Sequence, residues 1–525
     1  MKPKYYITNA IPYATRKPHI GNCYDYVAAD TLARWMRMRG FDVWYLTGTD
    51  EHGQKVEATA AQEGISPQEY ADRITGSIKD VFAAIDIRYD QFIRTTDDYH
   101  MAAVQAEFQQ LYDQGDIYKG EYEGPYCIPC ESFWTQSELI DGKCPDCGRE
   151  VTKAKEEAYF LRQSKYQAWL EQFYEDNPDF IAPRSRMKEM VNSFLKPGLQ
   201  DLCVTRSTIT WGVPVPFDPK HVLYVWIDAL SNYITALGFD TGENSAKYEK
   251  YWPADLHVIG KDICRFHTIT WPIMLHALGQ PLPKRVFAHP WMLFGTDKMS
   301  KTTGNVIYAD ELAQVIGADA TRYYMLAEMP LAVDGTITRE GVVERYNGDL
   351  ANVLGNLVNR TLAMTNKYFG GVIPTKGGIT ELEAELAAFA ENTVKEFTAA
   401  MEECRLADAM SIAMSLAKRS NKYIDETAPW ALAKDESKKE YLGTVLYHLL
   451  ECIRYLAALF APSMPDCARK ILRQLRPAAD PDAALEGIWG TLDGFGWLAT
   501  GEKVTDSPAP LFARLDETQV FEKKS

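Results

Sequence analysis

The sequence predicts an α/β fold: a parallel sheet split by an insertion and followed by an all-α bundle. Three observations carry that reading. The chain opens on a strand, loop, helix, strand unit, two cysteine pairs then interrupt the pattern, and from residue 349 onward amphipathic helices succeed one another. The first strand is the aromatic and β-branched run 5–8, and a loop with Pro12 and Pro18 follows it. Tyr24, Val27, Ala28, Leu32, Trp35 and Met36 then recur at helical spacing, closed by Gly40. The run 41–46 is the second strand and ends at Thr47-Gly48-Thr49-Asp50-Glu51-His52-Gly53.

Near Gly120 the pattern breaks, and sheet-like runs return at 223–226, 256–259 and 285–289, so an insertion of about a hundred residues separates two halves of one sheet. Residues 349–476 form a helical domain, residues 478–507 read as an irregular connector, and 511–515 are expected to pack back on the body.

Composition narrows the function classes. With 525 residues, 46% of them hydrophobic, the chain has material for several cores and roughly three or four domains. The first twenty residues lack the apolar core of a signal peptide and no run of about 18 apolar residues appears, which predicts a cytoplasmic protein with no membrane partner. A formal net charge of -16 opposes broad adhesion to nucleic acid, so any nucleic-acid contact must be local. Cys23, Cys203, Cys264, Cys404, Cys452 and Cys467 are scattered and are expected to be buried apolar residues.

Cys127-Ile-Pro-Cys130 and Cys144-Pro-Asp-Cys147 have the spacing of a four-thiolate structural zinc site, with no open position for activated water. His19-Ile20-Gly21-Asn22 lies between the first strand and its helix, where backbone N–H groups favour an anion. Lys298-Met299-Ser300-Lys301-Thr302 sits in a glycine-bounded loop, and its two lysines are placed to neutralise a triphosphate. Each phosphate motif is weak alone; their order on a split sheet gives the pair its weight.

These motifs make the chain similar to the class I aminoacyl-tRNA synthetases, with their HIGH and KMSKS signatures, and to the methionine-specific members in particular. The resemblance extends to residues 48–53, Tyr224-Val225-Trp226-Ile227-Asp228-Ala229, His257-Val258-Ile259-Gly260-Lys261-Asp262 and the helical C-terminal region. It departs at Asn22, where the second histidine of HIGH is usual, and at Thr302, where serine is usual. Asparagine keeps a donor but carries no charge.

The resemblance implies a Rossmann-type parallel sheet in residues 1–118 and 223–290, a zinc-knuckle connective insertion in 119–222, a stem-contact region with the KMSKS loop in 291–348, and an anticodon-binding bundle with its tail in 349–525. It implies activation of L-methionine by ATP to methionyl-adenylate and transfer to tRNA(Met), initiator tRNA included. His19, Asn22, Lys298 and Lys301 would be catalytic; Gly21, Gly260, Asp262, Met299 and Ser300 would join them around ATP and its Mg²⁺. Ile11, Tyr13, Asp50, Trp226, Ala229, Tyr233 and His289 would surround methionine, with Asp50 on the α-ammonium and the Tyr233 hydroxyl or Ile11 N–H near the sulfur. Asn356, Arg360 and Trp430 would read the anticodon, and one Zn²⁺ would sit on the four paired cysteines. The chain stops soon after Leu515, and a monomer is expected.

The isoleucine, leucine and valine enzymes of that class carry a much larger insertion, and the cysteine enzyme puts zinc in its catalytic pocket; neither pattern fits. A noncatalytic RNA-binding scaffold would not need His19, Asp50, Lys298 and Lys301 together, and a small-molecule adenylyltransferase would leave the helical domain unexplained.

Overall fold

The computed structural model describes residues 2–130, 132–134, 139–145, 147–207, 209–239, 245–294 and 306–516. Lys298, Met299, Ser300, Lys301 and Thr302 lie outside the described residues.

Six strands form the central sheet: β1 Lys4–Asn9, β2 Asp42–Thr49, β3 Gln91–Arg94, β4 Ile181–Ala182, β5 Leu256–Gly260 and β6 Val286–His289. Their order is β3-β2-β1-β5-β6-β4, with every pairing parallel. The chain leaves β1 toward β2 on one side and reaches β5 on the other, so the order reverses between β1 and β5. At such a reversal the loops diverge and open a crevice at the carboxyl ends of the strands. Gly48 in β2 is required by this sheet, because a Cβ there would run into the carbonyl oxygen of Ile93 in β3.

Helix α1, Tyr24–Met38, is buried on almost every face because the sheet lies under it and the helix Ala318–Ala327 packs over it. Two ion pairs sharing one carboxylate lock that stack. Asp30 of α1, wholly buried, meets Arg34 at 2.6 Å and Arg322 at 2.7 Å. Burial pushes the Asp30 carboxyl up, but the two guanidinium groups outweigh it and hold the group below its ordinary range. Arg322 also donates to the carbonyls of Ser463 at 2.7 Å and Pro462 at 3.1 Å, so one cation joins the sheet domain to the helical bundle.

The interval 119–222 is built on an antiparallel ribbon, Ile117–Cys127 against Thr152–Leu161. It also returns β4 to the edge of the central sheet. The expected strand at 223–226 is corrected: only Val222–Leu223 is extended, paired with Thr205–Arg206, and Val225–Thr235 is helix α2. All eleven residues of α2 are buried, so no polar face marks the helical period and the run reads like a core strand. The strands β3 and β4 are too short to show an alternating pattern.

The C-terminal bundle contains Asn356–Phe369, Glu381–Glu402, Leu406–Thr427, Lys439–Phe460 and Pro465–Leu475. Thr380 and Glu383 cap the second of these reciprocally. One helical stretch among the described residues, Glu436–Phe460, is long and apolar enough to cross a membrane, and its apolar window is wholly buried at the centre of the bundle. Residues 478–507 are more regular than expected, with a helix at Pro481–Gly487, while Leu515 packs back through paired hydrogen bonds with Asn347, both 2.9 Å. All six scattered cysteines are buried as free thiols.

Replacing Arg322 by leucine removes one of the two cations that compensate Asp30 and the donor to the Ser463 and Pro462 carbonyls. The expected cost is about 3–5 kcal/mol, read as a lower denaturant midpoint. Unchanged stability would mean that Arg34 alone compensates Asp30 and that Arg322 is not needed at the junction.

Candidate active site and metal centre

Four segments meet at the carboxyl ends of β1, β2 and β5. After β1 the chain turns through Ile20–Asn22 before entering α1. His19 caps that turn: its Nδ1 accepts the Asn22 N–H at 3.3 Å, and the Asn22 Oδ1 accepts the His19 N–H at 3.4 Å. With Nδ1 accepting, the neutral imidazole carries its proton on Nε2. Asn22 is exposed and thus both closes the turn and borders the crevice. After β5, Gly260 and Asp262 border the opposite side. A Cβ on Gly260 would meet Asp262 Oδ1 at 2.5 Å, so the Asp262 carboxylate folds back directly over the Gly260 backbone.

The residues on either side of 295–305 tie into these same two turns. Trp291 Nε1 donates to Asp262 Oδ1 at 3.2 Å, and the Ile307 carbonyl accepts the Ile20 N–H at 2.9 Å. Lys17 pairs with Asp310 at 2.7 Å and lies 4.6 Å from the centre of the Tyr308 ring.

At the end of β2 three consecutive residues diverge. Asp50 is buried at the crevice, its N–H donating to Pro12 at 2.9 Å and its carbonyl accepting from Ala14 at 2.7 Å, which clips the loop bearing Ile11 and Tyr13 beside it. Glu51 points away and is satisfied by Arg94 through two bonds of 2.7 and 2.8 Å and by Thr49 and Thr75 at 2.7 Å each. His52 reaches Asp228 of α2 at 2.6 Å, and His100 reaches the other oxygen of the same carboxylate at 2.8 Å. Burial pushes Asp228 up, yet the two histidines more than reverse it and bring it down to about 2. The carboxylate is therefore ionised across the neutral range, and its contribution fades only as pH falls from about 4 toward 2.

That anchor sets the inner face of α2. Trp226 lies against Phe266 with ring centres 3.7 Å apart and planes 9° apart, and meets Tyr13 edge-on at 6.5 Å. One turn on, Ala229 is buried on the same helix. The Tyr233 hydroxyl contacts His267 Nε2 at 2.7 Å, while His267 Nδ1 lies 3.0 Å from the Ile263 carbonyl. A carbonyl only accepts, so Nδ1 carries the ring proton and the Tyr233 hydroxyl donates to Nε2. Burial brings His267 down to about 4, which keeps it neutral at pH 7.

His289 closes β6 on the side of the crevice nearer Gly260. Its ring packs on Tyr24 at 4.8 Å, and its Nδ1 donates to the Pro290 carbonyl at 2.7 Å. The histidine in contact with Tyr233 and Trp226 is His267. Its only sequence signal was helical spacing from Asp262 and Trp271, on a stretch wound too widely for ordinary periodicity.

The four paired cysteines converge. All four Sγ atoms lie within 4.8 Å of one another, with Cys127 and Cys147 at 3.5 Å and Cys130 and Cys144 at 3.7 Å. Tetrahedral thiolates around zinc stand about 3.8 Å apart, so the donor set fits that ion. Burial, reinforced by neighbouring thiols, pushes Cys127 up to about 12 and Cys130 higher still, while burial of Cys147 is outweighed by hydrogen bonds from the Arg149 N–H and the other thiols, which bring it down. In the bundle, Asn356 is exposed and Arg360 lies one turn on, 6.0 Å from the ring centre of Trp430, which is itself 45% exposed.

Two family models match the chain: class I tRNA synthetases (M) over residues 5–157 and 148–362, and the anticodon-binding domain of methionyl tRNA ligase over 373–524. A methionine–tRNA ligase of Clostridium perfringens is 53% identical over 98% of this chain and 78% of its own length. That of Bacillus subtilis is 51% identical, again over 98% and 78%. The Mycobacterium tuberculosis methionyl-tRNA synthetase in complex with methionyl-adenylate superposes with a TM-score of 0.92 at 39% identity, covering 98% of this chain and all of that one. The sheet reversal flanked by the His19 and Asp262 turns, the aromatic cleft beside it and these matches along nearly the whole chain agree, and the chain belongs to the methionine–tRNA ligases of the class I aminoacyl-tRNA synthetases.

Proposed function

We propose that the chain activates L-methionine with ATP to methionyl-adenylate and pyrophosphate, then transfers methionine to the 3′ end of tRNA(Met), initiator tRNA included. The observation that carries this reading is the reversal of sheet order between β1 and β5, bordered by the His19 and Asp262 turns, with Asp50 at the end of the neighbouring β2 and Trp226 against Tyr13. The methionine carboxylate attacks the α-phosphate in line, so the protein positions and neutralises without an enzyme nucleophile.

His19 Nε2–H, Gly21, Asn22, Gly260 and Asp262 hold the nucleotide, with Mg²⁺ carried on its phosphates. Lys298, Met299, Ser300 and Lys301 close over the triphosphate. The tethering of Trp291 to Asp262 and of Ile307 to Ile20 supports that assignment, since both flanks of the segment border the crevice. Asp50 pairs with the α-ammonium, and Ile11, Tyr13, Trp226, Ala229 and Tyr233 enclose the side chain. The Tyr233 proton is committed to His267, which leaves the Ile11 N–H as the donor toward sulfur. Neutral His267 favours an apolar thioether over a charged side chain.

Zinc on Cys127, Cys130, Cys144 and Cys147 orders the insertion and takes no part in the chemistry. Residues 291–348 contact the tRNA stem, and Asn356, Arg360 and Trp430 read the anticodon; the exposed Trp430 ring beside a guanidinium supports base stacking. We read the protein as a cytoplasmic monomer.

Purified protein is expected to exchange pyrophosphate into ATP in the presence of methionine; exchange with a different amino acid and none with methionine would reject the substrate. Trp430→Ala should leave that exchange intact and lower kcat/KM for tRNA charging by roughly tenfold, whereas equal loss in both reactions would reject the anticodon role. Elemental analysis of unchelated protein should find about one zinc per chain, and none would reject the metal reading.

A further inference from the structure

Arg265 stands where the metal knuckle meets the amino-acid cleft. Trp134 is 2% exposed and packs on Cys127 and Cys144, inside the sulfur cluster. The Arg265 guanidinium lies 4.3 Å from the Trp134 ring centre and 4.6 Å from that of Phe266. Phe266 is the ring stacked on Trp226, which in turn meets Tyr13. Among the described residues no carboxylate pairs with Arg265; a third ring, Phe194, approaches it at 5.5 Å. A guanidinium is flat and weakly hydrated, which suits it to a place between π faces where an ammonium would keep its water. Trp134, Arg265, Phe266 and Trp226 therefore form a continuous column from the sulfur cluster to the wall of the cleft. Asp262, Arg265, Phe266 and His267 all lie within six residues of chain, so a shift of Arg265 moves the cleft wall directly.

We propose that Arg265 is a positioning residue that couples zinc occupancy of the knuckle to methionine binding in the cleft. The inference rests on the reading of that cleft as the methionine site. Coupling between two ligands is reciprocal: metal in the knuckle tightens methionine binding, and methionine tightens metal binding by the same free energy, which slower metal release reports.

The test measures zinc release from the full-length protein to a chromophoric chelator, with and without saturating methionine, beside the pyrophosphate exchange constants. In the natural protein methionine should slow release about fivefold. Arg265→Ala should abolish that slowing and raise KM for methionine about tenfold, with KM for ATP changed by less than about twofold. Arg265→Lys keeps the charge, loses the flat stack and should behave like the alanine variant; it carries the test if the alanine variant is purified without zinc. Methionine-independent zinc release in the natural protein would overturn the proposal, as would variants that keep the slowing or that raise both KM values together. Failure of the natural protein to exchange with methionine would instead overturn the assignment of the cleft.

Discussion

Asp228 accepts from His52 and His100 with its two oxygens, and the whole amino-acid side of the site hangs on that shared carboxylate. His52 belongs to the loop that ends β2, His100 to the helix Asp98–Asp113, and Asp228 to α2, so three elements distant in sequence are drawn to one buried charge. A buried ion is tolerated only when its hydrogen-bonding capacity is met, which makes the geometry unforgiving. Once α2 is pinned there, Trp226 is set against Phe266 and Tyr13, and Tyr233 against His267.

The nucleotide side is held differently. Its two turns belong to the sheet itself, one following β1 and one following β5, and their separation is set by the neighbouring positions of those strands. The two halves thus answer to different constraints: backbone pairing fixes the phosphate end, and buried polar side chains fix the amino-acid end. Arg322 joins this assembly to the bundle by donating to Ser463 and Pro462 while neutralising Asp30. A site for one end of a tRNA and a surface for its anticodon must keep a set distance, and a buried cation at their junction is a stiff way to keep it.

Much of the fold was legible because its signals are local. The first strand, α1, the second strand and the cysteine pairs announce themselves by period or spacing. Where the signal failed, the cause is visible. Helix α2 is buried all round and shows no polar stripe, β3 and β4 are too short to alternate, and the stretch carrying His267 is wound more widely than an ordinary helix. His267 lies on that widely wound stretch after β5 and His289 ends β6, and nothing local in the sequence says which of the two reaches Tyr233.

By itself the sequence determined the chemistry available: the phosphate-gripping motifs, a carboxylate after β2, four thiols at zinc spacing, and aromatic residues in surplus. Those are properties of residue types and intervals along a chain. Which histidine meets Tyr233, which hydroxyl has already given away its proton, and that Trp134 of the knuckle reaches Phe266 through Arg265 were decided only by tertiary structure. The physical reason is that hydrogen-bond direction and ring stacking depend on positions within a few ångströms, brought together from segments that the sequence keeps far apart.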